Sequence, residues 1–194
     1  MAVLRHGRLS KIICLSWLAV FIAQCIPAYA DEPPLQMEEQ KIEAGLIYNF
    51  LKYTDWTPAK TEATSTPIVI CIFGKDPFNG YLQPIEERTV KQRNITIRHV
   101  DKIPETSRCH LLVVGTEKKE LWPELHEFLA SKDVLTVSDL SGFSDAGGMI
   151  QFSQRSDRIA MDLNTKAIAE AHLHVQDSLL RLGTIMNHSS REDQ

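Results

Sequence analysis

The chain has 194 residues, 43% of them hydrophobic and 24% charged, with 21 basic against 25 acidic side chains and a net charge of −4. That balance excludes nucleic acid as a natural partner, because phosphates demand clustered Lys and Arg. No repeat or low-complexity tract interrupts the chain, which excludes a solenoid and a largely disordered protein.

The amino end reads as an export signal. Arg5, Arg8 and Lys11 form a basic region, residues 12–26 are mainly apolar, and Ala28-Tyr29-Ala30 is a small-x-small cleavage site. The apolar run is short for a membrane span and is broken by Gln24. Residues 1–30 are therefore expected to be removed, leaving residues 31–194 as a single exported α/β domain with 18 basic and 25 acidic residues. A chain of that length buries enough apolar surface to fold without a metal. Cys14 and Cys25 leave with the signal, so Cys71 and Cys109 remain. In an oxidising compartment the pair can bridge neighbouring strands or stay as two buried thiols, and export favours the bridge.

The first element of the mature chain is a helix over residues 37–56, since Ile42, Leu46, Phe50 and Tyr53 recur at helical spacing and Pro58 ends it. Strand and helix then alternate. Residues 67–73 are a strand, 77–87 helix-like, 95–100 and 110–115 strands, 118–130 a helix and 134–138 a strand. The link between residues 100 and 109 is short for a crossover, so the pairing of those two strands is the least defined placement. Residues 148–153 and 158–163 form a hairpin across a polar turn; Asn164 caps a helix from Thr165, and a last helix spans 177–186. The expected fold is a three-layer α/β/α sandwich, a mostly parallel mixed sheet with a carboxyl-terminal antiparallel hairpin.

The search for chemistry yields no catalytic residue, cofactor or metal site. Ser144 sits in GFSDA, which departs from the nucleophile-elbow pattern at its fifth position, and a strand rather than a helix follows. Residues 115–119, GTEKK, lack the ending of a phosphate loop. His172 and His174 stand at i, i+2 with no third ligand near. Two other readings are retained. Ser138, Asp139, Gly147 and Gly148 can line a ligand cleft at the strand ends, where open α/β sheets receive ligands, although the two glycines also suit a sharp turn. Tyr48, Phe50, Tyr53 and Trp56 cover more than one helical face, so those not taken by the core are a candidate docking patch.

Several blocks taken together, IYNFLKYTDWTP, IVICIFGKDPFNGYL, CHLLVVG, VLTVSDLSGFSDAGGMIQF, RIAMDLN and SLLRLG, resemble the YfiR family of periplasmic proteins over about residues 42–183. The resemblance implies a repressor that binds the periplasmic sensing domain of an inner-membrane diguanylate cyclase, controlling cyclic di-GMP and biofilm formation. It further implies an OmpA-like outer-membrane lipoprotein that sequesters the repressor. Cys71 and Cys109 match a cysteine pair that some members oxidise; a second pair found in some members has Asp145 and Phe152 in its neighbourhood here. The alternative function is a periplasmic sensor of an aromatic or nucleotide ligand, and a second copy of the chain is a further candidate partner.

Overall fold

The computed structural model describes residues 34–57, 60, 66–155, 158–181 and 183–185. The export signal expected over residues 1–30, and residues 156–157 of the expected QRSD turn, lie outside them. Helix α1 (Pro34–Tyr53) presents Ala44, Ile47, Phe50 and Leu51 to the core. It ends before Trp56 because Thr54–Asp55 leaves the helix as β1 and pairs antiparallel with β9 (His174–Val175), Thr54 opposite Val175. Pro58 is thus not what stops it.

Ile68–Phe73 (β2) is buried at every position. Its side chains alternate between the two faces of the sheet, as a strand must. Ile68, Ile70 and Ile72 join a core cluster with Ile47, Phe50 and Leu51 of α1, whereas Val69, Cys71 and Phe73 join a second cluster with Trp122 and Leu125. Two clusters on opposite faces make the three expected layers.

The remaining strands are β3 (Thr89–Val90), β4 (Arg93–Val100), β5 (Leu111–Val114), β6 (Leu135–Ser138), β7 (Ile150–Arg155), β8 (Arg158–Leu163) and β10 (Thr184–Ile185). The main sheet has the order β10-β8-β7-β6-β5-β2-β4-β3. Pairings β2–β4, β2–β5, β5–β6, β6–β7 and β8–β10 are parallel, and β3–β4 and β7–β8 are antiparallel. The expected hairpin is therefore present as β7–β8. Strands β4 and β5 do not pair: β2 lies between them, and a 3-10 turn over Ile103–Arg108 carries the chain across. At the outer edge β3 covers only Arg93 and Asn94 of β4, and the Glu86 carboxylate accepts from the Ile97 N–H at 2.7 Å.

Three expected helices are shorter than their patterns. Residues 77–87 reduce to α2 (Gln83–Glu86), because Asp76 accepts from the Phe78 and Gly80 N–H groups and Asn79 and Gly80 take positive φ of 48° and 84°. That turn cannot be helical. Residues 118–130 divide into a 3-10 stretch, Thr116–Leu121, and α3 (Trp122–Leu129), which starts beside Pro123, where a proline is tolerated. After α4 (Thr165–Glu170), whose first turn is capped by Asn164 Oδ1 accepting from Ala167 N–H at 3.0 Å, the last helix α5 spans only Asp177–Leu180. The chain then rejoins the sheet as β10. Gly183 permits this approach, since a Cβ there would lie 2.8 Å from the Leu163 side chain.

Cys71 on β2 and Cys109, just ahead of β5, form a disulfide with Cα atoms 5.8 Å apart. It closes a 38-residue separation, for which loop entropy gives about 4 kcal/mol. Cys109→Ser is expected to lower unfolding free energy by about that amount in urea titrations of oxidised protein. Truncating Phe50, fully buried and stacked 5.9 Å from Phe152, to alanine should cost about 3–5 kcal/mol in the same assay.

Candidate functional site

Parallel strands β5 and β6 end together, and the chain leaves β6 at Ser138. Ser138 is buried; its hydroxyl donates to the Val114 carbonyl at 2.7 Å and accepts from the Leu140 N–H at 3.0 Å. That hydroxyl ties the two strand ends and offers nothing to a ligand. Asp139 is exposed next to it. Partial desolvation and the charge of Glu117 raise its carboxyl above the usual range.

Helix α1 brings Glu39 and Glu43 to the same end. Burial, then the charges of Asp139 and Glu39, push Glu43 up to about 7. Gln154 Nε2 at the end of β7 donates to Glu39 at 2.6 Å. The edge of the sheet expected to receive ligands is therefore acidic, and at neutral pH Glu43 is only partly ionised.

The loop over residues 139–149 is latched down. Trp122 Nε1 donates to the Ala146 carbonyl at 3.0 Å, Asn164 Nδ2 to the Ser144 carbonyl at 3.0 Å, and the Ser144 N–H and hydroxyl both donate to Gln151 Oε1. An amide oxygen is no general base, so Ser144 serves this latch. Gly147 has φ of +90°, and a Cβ there would sit 2.4 Å from His126 Nε2; a Cβ on Gly148 would meet the Phe143 ring at 2.2 Å. Both glycines are required by packing. Of the four residues expected to share a cleft, Gly147 lines a pocket of about 280 Å³ with Trp122, His126, Leu129, Met149 and Ala167. Ser138 and Gly148 are buried in packing roles, and Asp139 faces the acidic end.

The aromatic residues of α1, with Trp56 just after β1, divide in two. Phe50 is fully buried, and Trp56, 6% exposed, donates its Nε1 to the His110 carbonyl at 2.9 Å. They belong to the core, which removes Phe50 and Trp56 from the candidate docking patch. Tyr48 and Tyr53 are half-buried: Arg88 lies 5.1 Å over the Tyr48 ring and Lys52 5.2 Å over that of Tyr53. Ile42, 53% exposed, and Met37, 37% exposed, are the large apolar side chains that α1 leaves to solvent among the described residues. Helical spacing puts Ile42, Leu46 and Tyr53 along one flank.

At the opposite end of the sheet lies a polar knot that the linear pattern did not indicate. His110 is buried between Val69, whose N–H donates to Nδ1 at 3.0 Å, and Arg93, whose guanidinium lies 3.1 Å from Nε2. Arg93 Nε also donates to the Thr66 carbonyl at 2.7 Å. Burial, with the charges of Arg93 and Lys60, drives His110 down to about 4. Lys60 Nζ donates to the carbonyls of Cys109 and Asp133 at 2.6 and 2.8 Å and pairs with the Asp133 carboxylate at 3.0 Å. The only signal for this knot was a histidine directly after Cys109. His172 and His174 are exposed, and no group of three potential metal ligands is assembled among the described residues.

A family model described as YfiR/HmsC-like matches residues 40–184. No curated protein matches the chain. Among solved structures, an ABC domain in complex with L-Trp from Streptococcus pneumonia is similar at 10% identity and a TM-score of 0.46, over 73% of this chain and 59% of that one. Among the described residues no helix is long and apolar enough to cross a membrane.

Glu43 is penalised when ionised, so its contribution to stability falls as pH rises from about 4.5 to about 7. Glu43→Gln should therefore raise unfolding free energy at pH 8 by about 1–2 kcal/mol, a value discounted for residual solvation, and change little at pH 4. His110 acts in the reverse sense: between pH 6.5 and about 4 the unfolded chain takes up a proton the folded ring refuses. Stability should fall by roughly 2–3 kcal/mol as pH drops through that window, and His110→Gln should flatten the profile. Gly147→Ala should destabilise by about 1–3 kcal/mol, read by thermal unfolding.

Proposed function

The chain belongs to the YfiR/HmsC-like family, and from that premise we propose that it represses a membrane diguanylate cyclase by binding the cyclase's periplasmic sensor domain. The family is regulatory rather than catalytic, and its members are periplasmic and act in cyclic di-GMP signalling. The match over residues 40–184, from within α1 to β10, is the observation that carries the reading. Release of the cyclase by an OmpA-like lipoprotein that sequesters the repressor completes the proposed circuit. Self-association through the same surface is a competing use of it.

The docking surface proposed for this role is the flank of α1 carrying Ile42, Leu46 and Tyr53. Ile42 is exposed, Leu46 and Tyr53 are half-buried against the core, and Lys41 and Lys52 lie along one side of them, which suits a partner that buries an apolar stripe beside a polar margin. A second reading rests on the 280 Å³ pocket beside Gly147: a small aromatic or nucleotide ligand held there shifts the population competent for the partner.

Deleting the gene should raise cellular cyclic di-GMP and surface attachment, and Ile42→Asp should reproduce much of that rise with an unchanged melting temperature. Unaltered cyclic di-GMP in the deletion strain, with the cyclase intact, rejects repression. For the second reading, a panel of aromatic amino acids and nucleotides should raise the melting temperature of purified protein, with Ala171→Trp abolishing the shift.

A further inference from the structure

On the α3 side of the sheet, away from α1, a cleft of about 420 Å³ opens between β4 and the 3-10 turn over Ile103–Arg108. Its floor is apolar: Val69, Val100 and the bridged Cys71 are each at most 7% exposed. Its walls carry charge. Arg98 stands on β4, and Arg108 and Glu105 stand on the turn.

Both arginines are exposed, and neither has an ion pair or hydrogen bond among the described residues. Two guanidiniums without an ion pair stand over an apolar floor, in contrast to Arg93 in the polar knot, Arg155 by Asp162 and Lys60 by Asp133. Guanidinium presents a planar fork of donors that matches carboxylate and phosphate, and it stays charged at any physiological pH. Glu105 accepts hydrogen bonds, so a fitting ligand also carries a hydroxyl donor.

The turn wall is fastened by the bridge. Arg108 directly precedes Cys109, whose sulfur is bonded to Cys71 in the floor and whose carbonyl accepts from Lys60 at 2.6 Å. Opening the disulfide removes the covalent tether between the residue that follows Arg108 and the cleft floor at Cys71. We infer that this cleft binds a small hydroxylated oxyanion, a phosphate or carboxylate clamped between Arg98 and Arg108, and that its occupancy is linked to the Cys71–Cys109 bridge. Linkage is reciprocal: a ligand that prefers the bridged form protects the bridge from reduction. This goes beyond repression of a cyclase, and its failure leaves that reading untouched.

The test uses oxidised full-length mature protein, with glycerol 3-phosphate and malate as matched hydroxylated phosphate and carboxylate probes. Titration calorimetry should show one or both binding, and the one that binds identifies the oxyanion. Arg98→Ala and Arg108→Ala should each weaken that binding at least tenfold, whereas Lys166→Ala on α4 should leave it unchanged. Dithiothreitol delivers two electrons and two protons to the bridge, giving the two thiols and its own cyclic disulfide. A saturating probe should slow that reaction several-fold in the wild type and not in Arg98→Ala. Absence of binding by both probes at millimolar concentration, or wild-type affinity in both arginine variants, overturns the site; reduction at an unchanged rate overturns the linkage.

Discussion

Burial of β2 on both faces is the constraint around which the molecule is organised. A strand with Ile68, Ile70 and Ile72 on one side and Val69, Cys71 and Phe73 on the other cannot lie at a surface, so each face requires its own helical layer. Helix α1 supplies one and α3 the other. The strand's centrality also decides the topology, since β4 and β5 must take opposite flanks of it and the chain crosses from one to the other. That crossing passes through the 3-10 turn, and the disulfide fixes its far end to the strand it has just passed over. Bridge, turn and central strand thus form one mechanical unit.

Much of this was legible because the signals were local. Six consecutive apolar residues marked β2, the i, i+4 series marked α1, Asn164 marked the start of α4, and the two cysteines left after an expected export signal pointed to the bridge. What was missed depended on distant partners. The Asp76 turn suppressed helix over residues 77–82, although the apolar spacing there suits one. Strand β10 exists because β8 offers it an edge and Gly183 lets the backbone approach, neither of which a pattern of leucines reveals. The polar knot draws on residues 60, 93, 110 and 133, which no window spans.

In the expected strand-end site, residue types were legible in the sequence and their contacts were not. The region after β6 was identified from its serine, aspartate and glycines. Their hydrogen bonds and close contacts then proved to be internal: Ser138 joins strand ends, Gly148 accommodates a phenyl ring, and Ser144 feeds an amide oxygen. The feature with titratable character near neutrality comes from a different element, Glu43 on α1, facing Asp139. Likewise Phe50 and Trp56 belong to the core, while the large apolar side chains that α1 leaves exposed are Ile42 and Met37. Burial outranks residue type in deciding which aromatic side chains remain available.

The contact between Glu86 and the Ile97 N–H at the outer margin of the sheet has a bearing on solubility. β3 shields only the start of β4, so the rest of that strand would otherwise present a ladder on which a neighbouring molecule could zip. A carboxylate already seated on one rung obliges any intruding strand to strip and bury a charge. The protein can thereby remain dispersed at high local concentration while keeping a long strand at its border.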